Sequence, residues 1–166
     1  YALVARVSIP GTHDSATGDG WAPESLVLAS FSTTQDVGIE AQLQAGVRAF
    51  DLRPAVVYGT YLNANHGAAR TSLTFNACLD RLCSFLKEHP TEFIIVHMLG
   101  AQDEDRANTN GWGELLKASF TNEAYKDYLL PTFRADLTVA ELRGQILILS
   151  RNEYADKPLV GGFMRG

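Results

Sequence analysis

Cysteine is nearly absent: among 166 residues only Cys78 and Cys83 carry thiols, five positions apart. They fall in a segment with helical periodicity, where about 100° per residue sets them roughly 140° apart and opposes a mutual disulfide. Buried small hydrophobes are the better reading, and no compartment follows from them. Long apolar runs are missing too. No stretch reaches the roughly 18 to 20 uninterrupted apolar residues of a membrane span, so no integral membrane segment is expected. Positive charge is in deficit, with 14 Lys and Arg against 19 Asp and Glu and a formal net charge of -5. No basic run, and no basic stripe interleaved with aromatics, offers a nucleic-acid surface. The same balance opposes strong electrostatic attachment to an anionic membrane, leaving brief contact or apolar loops as routes to lipid. No basic-then-apolar leader opens the chain. It begins on the apolar residues 1–10, as a mature or trimmed product does, so the missing leader assigns no compartment.

What is present suffices for a core. At 46% hydrophobic, residues 1–166 read as a single domain. Residues 4–9 are rich in β-branched side chains and stop at Pro10-Gly11, the pattern of a strand and turn. Val37, Ile39 and Leu43 predict a helix over 36–46 with Gly46 as its terminator. Residues 47–52 read as a second strand broken by Pro54, and 56–63 as a third, ending near Asn65-His66-Gly67. The clearest helix covers 72–88, where Phe75, Leu79, Leu82 and Leu86 share a face and His89-Pro90 closes it. Residues 93–99 and 145–150 are short apolar runs that suit strands buried on both faces. Further helices are expected at 112–120 and, as a short turn, at 137–142 before Gly144. Strands alternating with helices in this order imply largely parallel pairing with helices outside, an α/β fold.

Polar residues sit where that fold would bring them together. His13-Asp14 follow the first strand, Asp51 and Arg53 end the second, His66 follows the third and Arg151 follows the last. In parallel α/β architectures the C-terminal strand ends converge on one pocket. Two histidines suit phosphoryl transfer, one neutral ring taking a proton from an attacking hydroxyl while a protonated ring supplies one to the leaving oxygen. A guanidinium grips phosphate in bidentate fashion, and aspartates orient the imidazoles. Each residue also has a bland reading: Asp14 or Ser15 as a cap, Asp51 with Arg53 as a structural ion pair, His66 as a turn residue.

The ordered set resembles the X region of phosphatidylinositol-specific phospholipases C. ValSerIleProGlyThrHisAspSer at 7–15 is similar to that family's opening motif, and GlyValArgAlaPheAspLeuArg at 46–53 to its second catalytic segment. AsnHisGly at 65–67 resembles the third segment, HisProThrGluPheIleIle at 89–95 the following helix-to-strand junction, and ArgGlyGlnIleLeuIleLeuSerArg at 143–151 a later strand. The resemblance implies a TIM-like (β/α) barrel, of which this chain carries the N-terminal part. It implies His13 as the general base on the inositol 2-hydroxyl and His66 as the general acid for the departing diacylglycerol oxygen. Arg53 would hold phosphate, Asp14 and Asp51 would support the acid and the arginine, and Arg151 would contact the inositol ring. The substrate would be phosphatidylinositol or its glycosylated form at a membrane surface, the products diacylglycerol and inositol 1,2-cyclic phosphate, and the setting secreted, periplasmic or cell-surface.

Calcium-dependent members place Asn after the first His and acidic ligands in the second segment. Asp14 and Arg53 occupy those places here, so the resemblance points to the bacterial branch with no metal and no cofactor. Two features depart from it. Leu99 and Gly100 lie where some members carry lysines, and the later carboxylate that orients the general base has no counterpart. A closed barrel needs about 250 residues, so the rest of the barrel is expected from a longer chain or a second copy. A catalytically silent inositol-phosphate or lipid-binding fragment is the alternative. A metal-dependent glycerophosphodiesterase on a similar barrel would want several acids around one ion, where Arg53 is badly placed. His97 shares one side of its strand with Phe93 and Ile95, which could turn it toward the pocket, but a satisfied core histidine is the preferred reading. His89 reads as a helix cap, and Asp103-Glu104-Asp105 as a solvated loop. Trp21 and Trp112 fit either lipid contact or packing.

Overall fold

The computed structural model describes residues 2–130, 133–152 and 162–163. In chain order its elements are β1 (Gly11–Thr12), α1 (Leu26–Ser32), α2 (Ile39–Gln44), β2 (Ala49–Leu52), β3 (Pro54–Val57), β4 (Tyr61–His66), β5 (Ala69–Thr74) and α3 (Phe75–Glu88). There follow β6 (Ile94–Met98), α4 (Asp103–Ala107), α5 (Trp112–Phe120), α6 (Val139–Leu142), β7 (Ile146–Ser150) and β8 (Gly162–Phe163). Strands β1, β2, β6, β7 and β8 form one sheet in that spatial order, each neighbouring pair parallel. Strands β3, β4 and β5 form a separate antiparallel sheet. No helix among the described residues is long and apolar enough to cross a membrane.

Alternation along the parallel strands decides which residues meet the helices. Phe50 and Leu52 of β2, Ile94, Val96 and Met98 of β6, and Ile146 and Ile148 of β7 face one way. They pack with Phe75, Leu79, Leu82 and Leu86 of α3 and with Leu116 and Phe120 of α5. Each such fully buried side chain contributes roughly 1.5 to 3 kcal/mol relative to exposure. Ile95, Leu147 and Leu149 belong to the other face, against Val4, Leu137 and Leu142. Asp51 and His97 share that inner face, one step nearer the C-terminal strand ends.

Several expectations need correction. Residues 4–9 are not a strand: Val4–Arg6 is a single 3-10 turn whose Val4 packs against Leu137, and the first strand begins only at Gly11. The expected third strand is really β3 and β4, joined by a turn at Tyr58 to Thr60, and β5 completes a sheet that was not anticipated. Residues 72–74, read as the start of a helix, end β5, and Thr74 caps α3 by accepting a hydrogen bond from the Ala77 amide. The acidic run at 103–105 opens α4 rather than a solvated loop. Asp105 is buried and accepts hydrogen bonds from the amides of Val56 and Gln102 and from Asn110. Gly46, with φ of 97°, ends the α2 segment in the left-handed region as expected. Cys78 and Cys83 are free and buried, and burial pushes both thiols up to about 12.

Candidate active site

β1 is two residues long, yet it fixes the loop that follows. Thr12 Oγ1 contacts Gln42 Oε1 at 2.7 Å, and the buried Gln42 amide donates to the carbonyls of Ser15 and Val37. Ser15 Oγ accepts from the Asp51 amide at 2.9 Å, which ties this loop to β2. Between them Asp14 adopts φ of 45°, a left-handed conformation that Asp tolerates better than most residues. That turn aims its amide at Asp51 Oδ2, 3.2 Å away. The His13 carbonyl accepts from Thr34 Oγ1 and Gln35 Nε2 at 2.8 and 2.7 Å, so the segment after α1 braces the backbone of His13.

His66 arrives from the other sheet. The Asn65 amide donates to the Arg53 carbonyl at 2.9 Å, setting the end of β4 beside the end of β2. The side chains then converge on the two aspartates. His13 Nε2 and His66 Nε2 both contact Asp14 Oδ2, at 3.1 and 3.2 Å. Arg53 Nε lies 2.7 Å from Asp14 Oδ1, and Arg53 Nη2 lies 3.2 Å from Asp51 Oδ2. His13 Nδ1 is 2.9 Å from the same Asp51 oxygen. The Asp14 side chain is wholly buried, while that of His13 is 62% exposed. A buried anion thus organises an accessible imidazole.

Close as they are, most of these contacts are charge pairs rather than aligned hydrogen bonds. Neither Asp14 oxygen nor Arg53 Nε has an aligned partner among the described residues. An electrostatically held but poorly aligned cluster can exchange partners at modest cost when a better-matched anion arrives. The two carboxylates are also driven apart in proton affinity. Burial, reinforced by the charge of Asp51 and opposed by Arg53 and the two histidines, holds Asp14 above the usual carboxylate range. Asp51 is also raised by burial, but hydrogen bonds from Arg53 and the Asp14 amide, with the charges of Arg53 and His97, outweigh it and hold Asp51 below that range. His13, Asp14 and Asp51 are the described residues whose ligand atoms could meet at one cation, lying within 4.8 Å of one another. Arg53 already supplies a positive charge to both carboxylates.

All five expected residues of the catalytic set, His13, Asp14, Asp51, Arg53 and His66, are brought together. Arg151 is exposed beyond β7; its amide donates to the Met98 carbonyl, and its charge is felt at His97. His97 departs from expectation. Rather than a satisfied core residue, it is the register partner of Asp51, with Nδ1 3.8 Å from Asp51 Oδ1 and no hydrogen bond to Nε2 among the described residues. The signal for it lay in strand alternation, which puts 95 and 97 on the face opposite to 94, 96 and 98. His89 caps α3 and packs on Phe85 at 4.5 Å, as expected. Trp112 is buried, its indole N–H donating to the Pro54 carbonyl, whereas Trp21 donates to Thr33 Oγ1.

Comparison with known proteins places this geometry. Residues 10–152 match the family described as phosphatidylinositol-specific phospholipase C, X domain. The chain is 33% identical over 162 residues to the 1-phosphatidylinositol phosphodiesterase of Listeria monocytogenes, covering 95% of this chain and 47% of the relative. A Staphylococcus aureus 1-phosphatidylinositol phosphodiesterase is 26% identical over 149 residues, covering 89% and 47%. Among solved structures, the Listeria monocytogenes phosphatidylinositol-specific phospholipase C superposes with a TM-score of 0.76 at 29% identity, over 96% of this chain and 56% of that one. The Staphylococcus aureus enzyme gives 0.80 at 24% identity, over 96% and 52%, and shows the fold. These neighbours are TIM-type barrels, so the expected fold class holds. The chain spans about half the length of the curated relatives it matches.

Proposed function

The chain belongs to the phosphatidylinositol-specific phospholipase C X-domain family, and from that membership we propose that it carries the acid-base half-site of a lipid-cleaving phosphodiesterase. The observation that supports this most is one shared oxygen. Two imidazoles meet at Asp14 Oδ2, at 3.1 and 3.2 Å, with a guanidinium on the other oxygen of the same carboxylate. A phosphate diester entering beside Arg53 offers that guanidinium a bidentate anion in place of the poorly aligned carboxylates.

In this reading His13, with Nδ1 against Asp51, takes the proton of the inositol 2-hydroxyl through Nε2 once the ring leaves Asp14. The freed oxygen attacks phosphorus, and the bond to the diacylglycerol oxygen breaks. His66, held by Asp14, delivers a proton to that leaving oxygen. Diacylglycerol and inositol 1,2-cyclic phosphate result. Arg53 stabilises the charge on the non-bridging oxygens, and as a fixed cation between both carboxylates it supports chemistry without a metal. Arg151, exposed just beyond β7, would contact the inositol ring.

The substrate side of the proposal is a membrane surface in a secreted or cell-surface setting. With a net charge of -5 the contact must be apolar, and α1 supplies it. Leu26, Val27, Leu28 and Phe31 are exposed by 60, 82, 44 and 89%, unusual for so short a helix. The silent-fragment alternative draws only on the half-length span.

Phosphorus NMR of the full chain with phosphatidylinositol vesicles and EDTA tests the proposal. The expected product signal is a five-membered cyclic phosphodiester. Activity that vanishes with EDTA and returns with calcium contradicts the metal-independent reading. Lipid binding without turnover, unaffected by His13→Ala, favours the silent fragment.

A further inference from the structure

We propose that His97 is a positioning residue of this site, holding Asp51 through an uncharged ring that donates from Nδ1 to Asp51 Oδ1. The idea rests on the phosphodiesterase reading above for its kinetic consequences, though not for its geometry.

Asp51 divides its work unequally. Oδ2 meets His13 Nδ1 at 2.9 Å, Arg53 Nη2 at 3.2 Å and the Asp14 amide at 3.2 Å. Oδ1 is buried without a hydrogen bond among the described residues. His97 Nδ1, which can donate, lies 3.8 Å from it, brought there because Asp51 and His97 are register partners on adjacent parallel strands. A lone pair on Nδ1 would repel the carboxylate, so that nitrogen carries the proton. Nε2 is buried and has no aligned partner among the described residues, so a proton placed there would find no acceptor among them. The ring is kept uncharged by its surroundings. Burial depresses its affinity for a second proton, the charges of Arg151 and Arg53 act the same way, and only Asp51 opposes them.

This arrangement matters when substrate binds. Drawing Arg53 toward a phosphate removes a cation from Asp51 just as His13 needs that carboxylate to fix its ring. A donor waiting at Oδ1 closes the remaining gap and keeps Asp51 in the plane that His13 requires. His97 thereby acts on catalysis through Asp51, without touching the reacting atoms.

Two measurements on the full chain decide the matter. Imidazole nitrogen NMR of the free protein is expected to show His97 protonated at Nδ1 and bare at Nε2. Asp51→Asn should return it toward the Nε2-protonated form that predominates in water. An Nε2-protonated His97 in the wild-type protein would overturn the inference. In phosphatidylinositol turnover, His97→Ala should lower kcat about tenfold with little change in KM, the scale of a misplaced catalytic group. His97→Asn, whose amide can reproduce an Nδ1 donor, should recover most of that loss, and His97→Gln should not. His97→Ala should add nothing in an Asp51→Asn background. Additive losses, or equal damage from Asn and Ala, would sink the idea. If the wild-type protein turns over no lipid, the reading of the preceding subsection fails and the NMR arm still judges this one.

Discussion

Asp14 and Asp51 flank the same guanidinium yet are shifted in opposite directions, and that contrast has consequences for stability. Asp51 is held below its ordinary 3.8, so its charge stabilises the fold above that pH, and the contribution is lost as pH falls through the lowered value. Asp14 is held above 3.8. Its contribution has the other sign: the unfolded chain releases this proton first, so stability declines as pH rises from 3.8 through the raised value. Asp14→Asn should remove that decline, and Asp51→Asn should remove the acid-side loss. Thermal melts across this range read both, and variant curves running parallel to wild type would contradict the assignment. Arg53→Lys is expected to lower kcat by about 100-fold despite keeping the charge, because an ammonium cannot present two parallel N–H groups to phosphate while touching both carboxylates. Steady-state kinetics with an unchanged kcat would refute it.

At the level of elements, the loop after β1 works because it is packed against the α2 segment with no room to spare. A Cβ added at Gly18 would lie 2.0 Å from the Val37 carbonyl oxygen. Gly18→Ala should therefore cost about 2 to 4 kcal/mol by overpacking against backbone, measured by denaturant unfolding, and should lower turnover more than remote substitutions of equal cost. On α1, Val27→Ser with Phe31→Ser should weaken binding to phosphatidylcholine vesicles at least roughly tenfold, since two large exposed side chains are each worth about 1.5 to 3 kcal/mol on burial. Unchanged sedimentation with vesicles would remove α1 from the lipid contact. These elements also show what sequence reveals. β6 and β7 were legible because strands buried on both faces are short and apolar throughout. α5 was found at its observed limits, since nothing competes with its periodicity. Residues 4–9 misled because β-branched content mimics a strand even where Val4 fills a hydrophobic cluster as a lone turn. β5 escaped because ArgThrSer at 70–72 lacks an apolar run, and its pairing with β4 is a long-range fact. α1 escaped because Leu26, Val27, Leu28 and Phe31 are all exposed, so no division into an apolar buried face and a polar outer face marks it as a helix. His97 was visible only as a parity along β6.

Taken as a whole, the molecule gathers its site from three strand ends, in two sheets, and from the loop that follows β1. The core beneath those ends is shared, so its damage should be felt globally. Leu82, fully buried among α3, α5 and the outer sheet face, should cost about 2 to 5 kcal/mol when truncated to Ala, and the loss should appear in unfolding with KM unchanged in the folded fraction. The site residues should behave otherwise, with activity lost and stability largely kept. The sharpest measurement exploits the separate duties assigned to the two histidines. His13→Ala and His66→Ala are assayed on phosphatidylinositol and on an inositol phosphodiester whose leaving group is a nitrophenol, which departs without a proton. Both variants should lose at least about 100-fold on the lipid. On the activated substrate His66→Ala should recover most of its rate while His13→Ala stays disabled. Equal recovery by both variants, or by neither, would contradict the division into a base at His13 and an acid at His66.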